Sequence, residues 1–276
     1  MSIINAIILG IVQGLTEFLP VSSSGHLVLL QKIFKIDEPS LFFDTMLHVG
    51  TLIAVMTVLW KDIFEILKKP IQKLTGFLII ATIPAVIAAL LFKDAIEDIF
   101  VSGKYLGFCF LITATLLVMA EILSRHNRNE NHADEGHDGN GVKMTWFHAL
   151  FIGIMQAFAI PPGISRSGAT ISGSLFCKLD RDFAARFSFL MSIPAILGAV
   201  VMQTKNLVKN SAAYSSSIGT AAIIAGTVTS AIVGFFAVKF MLKLIKEKSL
   251  FGFAIYTGVL GVIVLIDQVL LRFFFK

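Results

Sequence analysis

Gln13 and Glu17 stand four residues apart in an apolar stretch, and Arg166 stands alone among charged residues in another. The four-residue spacing puts Gln13 and Glu17 on one face of a helix. Ser22, Ser23 and Ser24 follow Pro20, and His26 comes just after them. Hydroxyls and free backbone N–H groups at a helix start make an anion site, although N-capping alone accounts for any one serine. His26 fits three roles: nucleophile, general acid, or hydrogen-bonded packing residue. Arg166 lies between Ser165 and Ser167, and its planar guanidinium matches phosphate oxygens. Carboxylate, hydroxyls, imidazole and guanidinium together suit a phosphate-bearing ligand. The competing reading is an ion pair between Glu17 and Arg166 that only holds two segments together.

Other polar groups carry weaker signals. Asp44 and His48 are one turn apart and begin an apolar run, where they line a cavity or offer two metal ligands. His126, His132 and His137, with Asp134, Glu135 and Asp138, read as a solvated linker. Glu121 and Asp267 fall near the ends of apolar runs, where a solvated role is expected. Cys109 and Cys177 sit in apolar surroundings and read as packing residues.

The elements that must position these groups are membrane helices. The chain is 56% hydrophobic and only 15% charged, against about 25% charged in an ordinary soluble domain. Uncharged runs recur at 45–60, 74–92, 105–120, 187–204, 218–238 and 249–266. Each approaches the length needed to cross about 30 Å of hydrocarbon as a helix. No alternating strand pattern points to a barrel instead. The first apolar stretch has no preceding Lys or Arg and no small-residue cleavage site, so it does not read as a cleaved signal. The net charge of +5 does not imply a nucleic-acid partner, because the basic residues lie between the runs.

The chain divides into two related halves. At an offset of 143, Gly10, Ile11, Gln13, Ser22, Ser24 and Gly25 fall on Gly153, Ile154, Gln156, Ser165, Ser167 and Gly168. One slip later, Phe43 and Leu47 pair with Phe187 and Met191. The expected organisation is a first repeat at 1–123, a polar cytoplasmic linker at 124–145 and a second repeat at 146–276. Each repeat opens with a short apolar helix, a proline-containing break and a second short segment, at 26–34 and 169–177. Nine helical residues reach only about 14 Å, so hairpins 3–35 and 146–178 are expected to be re-entrant. Three spans then follow in each half, giving an all-α polytopic protein with two inverted-topology repeats. With 61–74 placed inside, fourteen basic residues fall inside, eight outside and Arg166 within the membrane. Inverted repeats with broken helices place their sites near the midplane.

The stretch Gln13-Gly14-Leu15-Thr16-Glu17-Phe18-Leu19-Pro20-Val21-Ser22-Ser23-Ser24-Gly25-His26 resembles the first signature of the BacA/UppP undecaprenyl-diphosphate phosphatases. Pro162-Gly163-Ile164-Ser165-Arg166-Ser167-Gly168-Ala169-Thr170 resembles the second. The resemblance covers essentially the whole chain. It implies hydrolysis of undecaprenyl diphosphate to the monophosphate and inorganic phosphate, which recycles the carrier lipid for wall synthesis and confers bacitracin tolerance. It also implies a bacterial cytoplasmic membrane, a site opening to the outer side, and a divalent metal, Mg²⁺ or Ca²⁺. The implied catalytic set is Glu17, Ser23, His26 and Arg166, with Ser23 and His26 competing as nucleophile and direct attack by water also open. Gln13, Ser22, Ser24, Ser165, Ser167 and Thr170 form the candidate substrate-binding set, and Glu17 is the candidate metal ligand. The family accepts Glu or Gln at position 13. Gln13 cannot act as a base, so the acid–base burden falls on Glu17. The expected partners are the lipid substrate and membrane lipid, with a homodimer left open. An inverted-repeat transporter and a non-catalytic lipid-binding scaffold are the competing classes.

Overall fold

A computed structural model describes residues 1–36, 41–133, 143–209 and 218–275. The central part of the expected linker, with His137, Asp134, Glu135 and Asp138, lies outside them, as does the side chain of His132. Among the described residues the chain is helical and has no strand. Helices α5 (Lys73–Leu91), α7 (Leu106–Ala133), α10 (Arg181–Lys209), α11 (Thr220–Glu247) and α12 (Phe251–Ile266) are long and apolar enough to cross a membrane. α3 (Leu41–Val58) bends by 76° into α4 (Trp60–Lys68), and the pair taken together is a sixth candidate span. The protein is a multi-pass membrane protein, with the spans close to where the uncharged runs place them.

The short elements take the form of two helix pairs. α1 (Ile3–Thr16) and α2 (Ser23–Ile33) form one, and α8 (Trp146–Phe158) and α9 (Arg166–Phe176) form the other. The fourteen residues of α1 rise only about 21 Å, so no member of either pair crosses alone. α2 and α9 begin earlier than the apolar pattern suggests. Ser22 and Ser165 are their N-caps, accepting from the backbone N–H of Gly25 and Gly168. Ser23 and Arg166 are therefore first-turn helical residues rather than loop residues. Both helices end alike, with Lys35 and Lys178 at positive φ and a backbone bond closing back to Gln31 and Ser174.

Each hairpin packs on a span from the other half: α1 on α11, and α8 on α5. Glycine permits both approaches. A Cβ on Gly10 would lie 2.5 Å from the Gly226 carbonyl oxygen, and one on Gly153 would lie 2.4 Å from that of Ala81. Alanine at either place would force the helix pair apart. The two short helices α4 and α6 (Lys93–Ser102) bury none of their residues fully.

Two acidic residues expected to be solvated are buried. Glu121 accepts from Arg125 at 2.8 Å, from Arg181, and from the Leu250 backbone at 3.0 Å. It thereby joins α7, α10 and α12 at the end of the bundle where α4 lies. Asp267 accepts from the backbone N–H groups of Phe273, Phe274 and Phe275. A carboxylate that caps backbone donors satisfies groups for which lipid offers no partner. Cys109 and Cys177 are free thiols.

Candidate active site

The two hairpin tips meet backbone to backbone. A Cβ on Gly25 would lie 2.8 Å from the Gly163 Cα. Gly163 has φ +96, and a Cβ there would lie 2.6 Å from that of Cys109. Both its conformation and its crowding therefore require glycine. Ser22, at φ 70, accepts from the Gly163 N–H at 3.1 Å. Ser167 donates to the Leu19 carbonyl at 3.0 Å. Thr113 of α7 pins the second tip, donating to the Gly163 carbonyl and accepting from the Ser165 N–H, both at 2.9 Å.

This frame sets Glu17 at the centre of a polar cluster. Arg166 Nη2 donates to Glu17 Oε1 at 2.6 Å. Ser23 Oγ donates to Glu17 Oε2 at 2.5 Å, and Gln13 Nε2 donates to the same oxygen at 2.9 Å. His48 Nε2 lies 3.5 Å from that oxygen. The His48 Nδ1 is 2.7 Å from the Asp44 carbonyl, which can only accept, so Nδ1 carries a proton and Nε2 faces the carboxylate. Glu17 is buried, whereas the Arg166 side chain keeps 18% exposure toward the cavity. The ion pair weighed against catalysis is thus present, and a serine hydroxyl shares the carboxylate with it.

A cavity of about 350 Å³ opens on this cluster. Glu17, Ser22, Ser23, Ser24, Ser165 and Arg166 line it, together with Asp44 and His48. The remaining candidates stand behind the wall. Gln13 is buried and supports Glu17. Ser167 ties the tips together. Thr170 donates to the Arg166 carbonyl at 2.9 Å and contacts the Ser188 hydroxyl at 2.6 Å, holding the first turn of α9. His26 also faces away from the lining. Its Nδ1 lies 2.7 Å from the Ser22 carbonyl and its Nε2 lies 2.7 Å from the Tyr256 hydroxyl, with the two rings stacked. Tyr256 was not singled out by any sequence pattern, because its partner lies in the other half of the chain. Asp44 and His48 carried a signal, as a polar pair opening an apolar span.

The cavity's donor set bears on a divalent ion. Among the described residues no three His, Cys, Asp or Glu side chains cluster as ligands. Three carboxylates line the cavity: Glu97, which pairs with Lys93, and Glu17 and Asp44, which share the lining with serine hydroxyls. One or two carboxylates plus substrate phosphates is the usual way to hold a hard cation such as Mg²⁺. The residues therefore fit an ion shared with a phosphate ligand, not a cage made by protein alone.

Comparison with known proteins gives the same direction. The family model for "Bacitracin resistance protein BacA" matches residues 6–263. The chain belongs to the BacA family. An undecaprenyl-diphosphatase from Carboxydothermus hydrogenoformans is 45% identical to this BacA-family chain, covering 97% of it and 98% of the relative. Undecaprenyl-diphosphatase 3 of Bacillus cereus matches at the same identity and coverage. An undecaprenyl-diphosphatase from Halothermothrix orenii is 40% identical over 96% of the chain and 98% of the relative. The BacA match spans both hairpin tips, so it takes in every residue of the cluster around Glu17.

Proposed function

We propose that the protein hydrolyses undecaprenyl diphosphate to undecaprenyl phosphate and inorganic phosphate. The observation that carries this reading is the pairing of the Ser23 hydroxyl with Glu17, 2.5 Å apart, on a carboxylate whose other oxygen holds Arg166. It supplies a nucleophile, its base and a phosphate-binding cation on one cavity wall. Names and near full-length similarity of the relatives support the substrate. Recycling of the lipid carrier and bacitracin tolerance follow from that activity.

Ser23 Oγ attacks the terminal phosphorus while Glu17 Oε2 takes its proton. The bond from that phosphorus to the bridging oxygen breaks, and undecaprenyl phosphate leaves with the electron pair. Water then attacks the phosphoserine, with Glu17 exchanging the proton, and releases inorganic phosphate. Phosphoryl transfer depends mostly on positioning and charge neutralisation. Arg166 turns its planar fork from Glu17 to the phosphate oxygens, and the N–H groups at the start of α2 face the same charge. Glu17 and Asp44 would hold a Mg²⁺ or Ca²⁺ ion arriving with the diphosphate, which would offset charge on its oxygens. His26 keeps the α2 start in place through Ser22 and Tyr256. The basic-residue bias supports a cavity opening to the outer face of a bacterial cytoplasmic membrane.

Purified protein should release phosphate from a long-chain prenyl diphosphate in detergent with metal present. Ser23→Ala should cut release by at least about a thousandfold. Acid-quenched wild type should carry labelled phosphate on Ser23. Full activity of folded Ser23→Ala would move the nucleophile to water or to another residue.

A further inference from the structure

Away from the hairpin tips the cavity is lined by Ala89 of α5, Ile96 and Phe100 of α6, and Ala195, Ala199 and Met202 of α10, with the Lys93–Glu97 ion pair of α6 beside them. A second groove of about 330 Å³ lies along the same two helices, lined by Leu78, Thr82, Val86 and Pro194 among others. On α5 the two hollows share a face, because Thr82, Val86 and Ala89 recur at helical spacing.

We infer that the groove between α5 and α10 seats the hydrocarbon chain of the substrate while the diphosphate sits at Glu17, Ser23 and Arg166. This rests on the function proposed above and adds where the chain leaves the site. The corresponding helix pair in the other direction, α3 with α11, is shut. A Cβ on Gly50 of α3 would lie 2.4 Å from the Thr227 carbonyl oxygen, and Ser230 donates to the Leu47 carbonyl at 2.8 Å. α11 buries Ala222, Gly226, Ser230 and Gly234 among others, whereas α5 buries only Ala81, and that against α8. A ligand with a charged head in the cavity and an apolar tail can leave only where the wall is apolar and the helices stand apart. Lipid tails are as apolar as the groove, so the groove adds little affinity. Its effect is orientation: a tail lying along α5 brings the terminal phosphorus, rather than the inner one, to Ser23.

Photo-crosslinking tests this directly. p-Benzoylphenylalanine placed at Val86 should capture a radiolabelled long-chain prenyl diphosphate at least about fivefold more than the same group at Val228, a half-exposed lipid-facing position of α11. Unlabelled prenyl diphosphate should compete at 86 and not at 228. Equal, uncompeted labelling at both positions would overturn the groove. A second arm reads catalysis. Val86→Trp should lower kcat/KM about tenfold on the long-chain substrate while sparing farnesyl diphosphate, whose tail is too short to fill the groove. Equal loss on both substrates would reduce Val86 to a packing residue and overturn the proposal. If wild type releases no phosphate, the functional reading fails, and the crosslinking still decides whether the groove takes a prenyl chain.

Discussion

The two hairpin tips share a frame and differ in chemistry. Ser22 and Ser165 make the same capping bond, from φ 70 and φ −76 respectively, and each sits close to the serine two residues on: Ser24 at 3.4 Å and Ser167 at 3.2 Å. The positions between these serines diverge: Ser23 in the first tip and Arg166 in the second. Glu17 in the first has Ile160 as its counterpart. Gln13 donates to Glu17, while both amide atoms of buried Gln156 have no hydrogen-bond partner among the described residues. Capping residues are fixed by the backbone they satisfy, so both tips need them. The residue after the cap satisfies nothing in the frame and is free to differ. On the proposed mechanism one tip supplies the nucleophile and base, the other the cation.

The division of labour can be broken at its base first. Glu17→Gln keeps shape and removes the proton acceptor, so phosphate release should fall by roughly a hundredfold to ten-thousandfold. The protein should still fold, because the change removes a buried charge. Wild-type turnover in folded Glu17→Gln would leave Glu17 as a structural partner of Arg166 alone. Next comes the cation. Arg166→Lys keeps the charge and loses the planar fork, so release should drop at least about tenfold, or about 1.4 kcal/mol in transition-state terms. Unchanged kcat/KM would take Arg166 out of the site. The smallest effect separates the two glutamines. Gln156→Leu removes an unpartnered amide and should leave activity unchanged while raising stability by about 1 kcal/mol, read as a higher Tm in detergent. Gln13→Leu should lower activity, because it strips a donor from Glu17. A Tm loss in Gln156→Leu matching that of Gln13→Leu would mean that both glutamines hold partners.

Much of this was legible from residue order. A span must be apolar over about 30 Å, so hydropathy alone locates α5 or α12. Pro20 and Pro161 with short flanking helices betray the hairpins, and Ser-x-Ser-Gly in both tips reveals the frame. What pattern does not encode is which way a side chain turns once distant segments pack. His26 beside three serines leaves chemistry and packing both open, and it takes the packing of distant segments to show that Tyr256 and the Ser22 carbonyl meet both its nitrogens. Glu121 reads as a span end, yet Arg181 and the Leu250 N–H make it a junction of three helices. α4 and α6 are too polar to register as spans by themselves, and hydropathy does not encode the 76° bend between α3 and α4.

The contact of Gly25 with Gly163 has a consequence for biogenesis. During synthesis the first tip emerges well over a hundred residues ahead of the second. Until Arg166 arrives, Glu17 lacks the guanidinium on its Oε1 and has only first-half partners such as Gln13, Ser23 and His48, and an ill-paired carboxylate in hydrocarbon is disfavoured. The first hairpin therefore lacks both its floor and its guanidinium partner while the first half of the chain enters the bilayer. Its final packing waits on the second half, which makes the site one of the last parts of the protein to assemble. A truncated first half would hold Ser23 and Glu17 without the Gly163 backbone and the Arg166 guanidinium that pack against this tip.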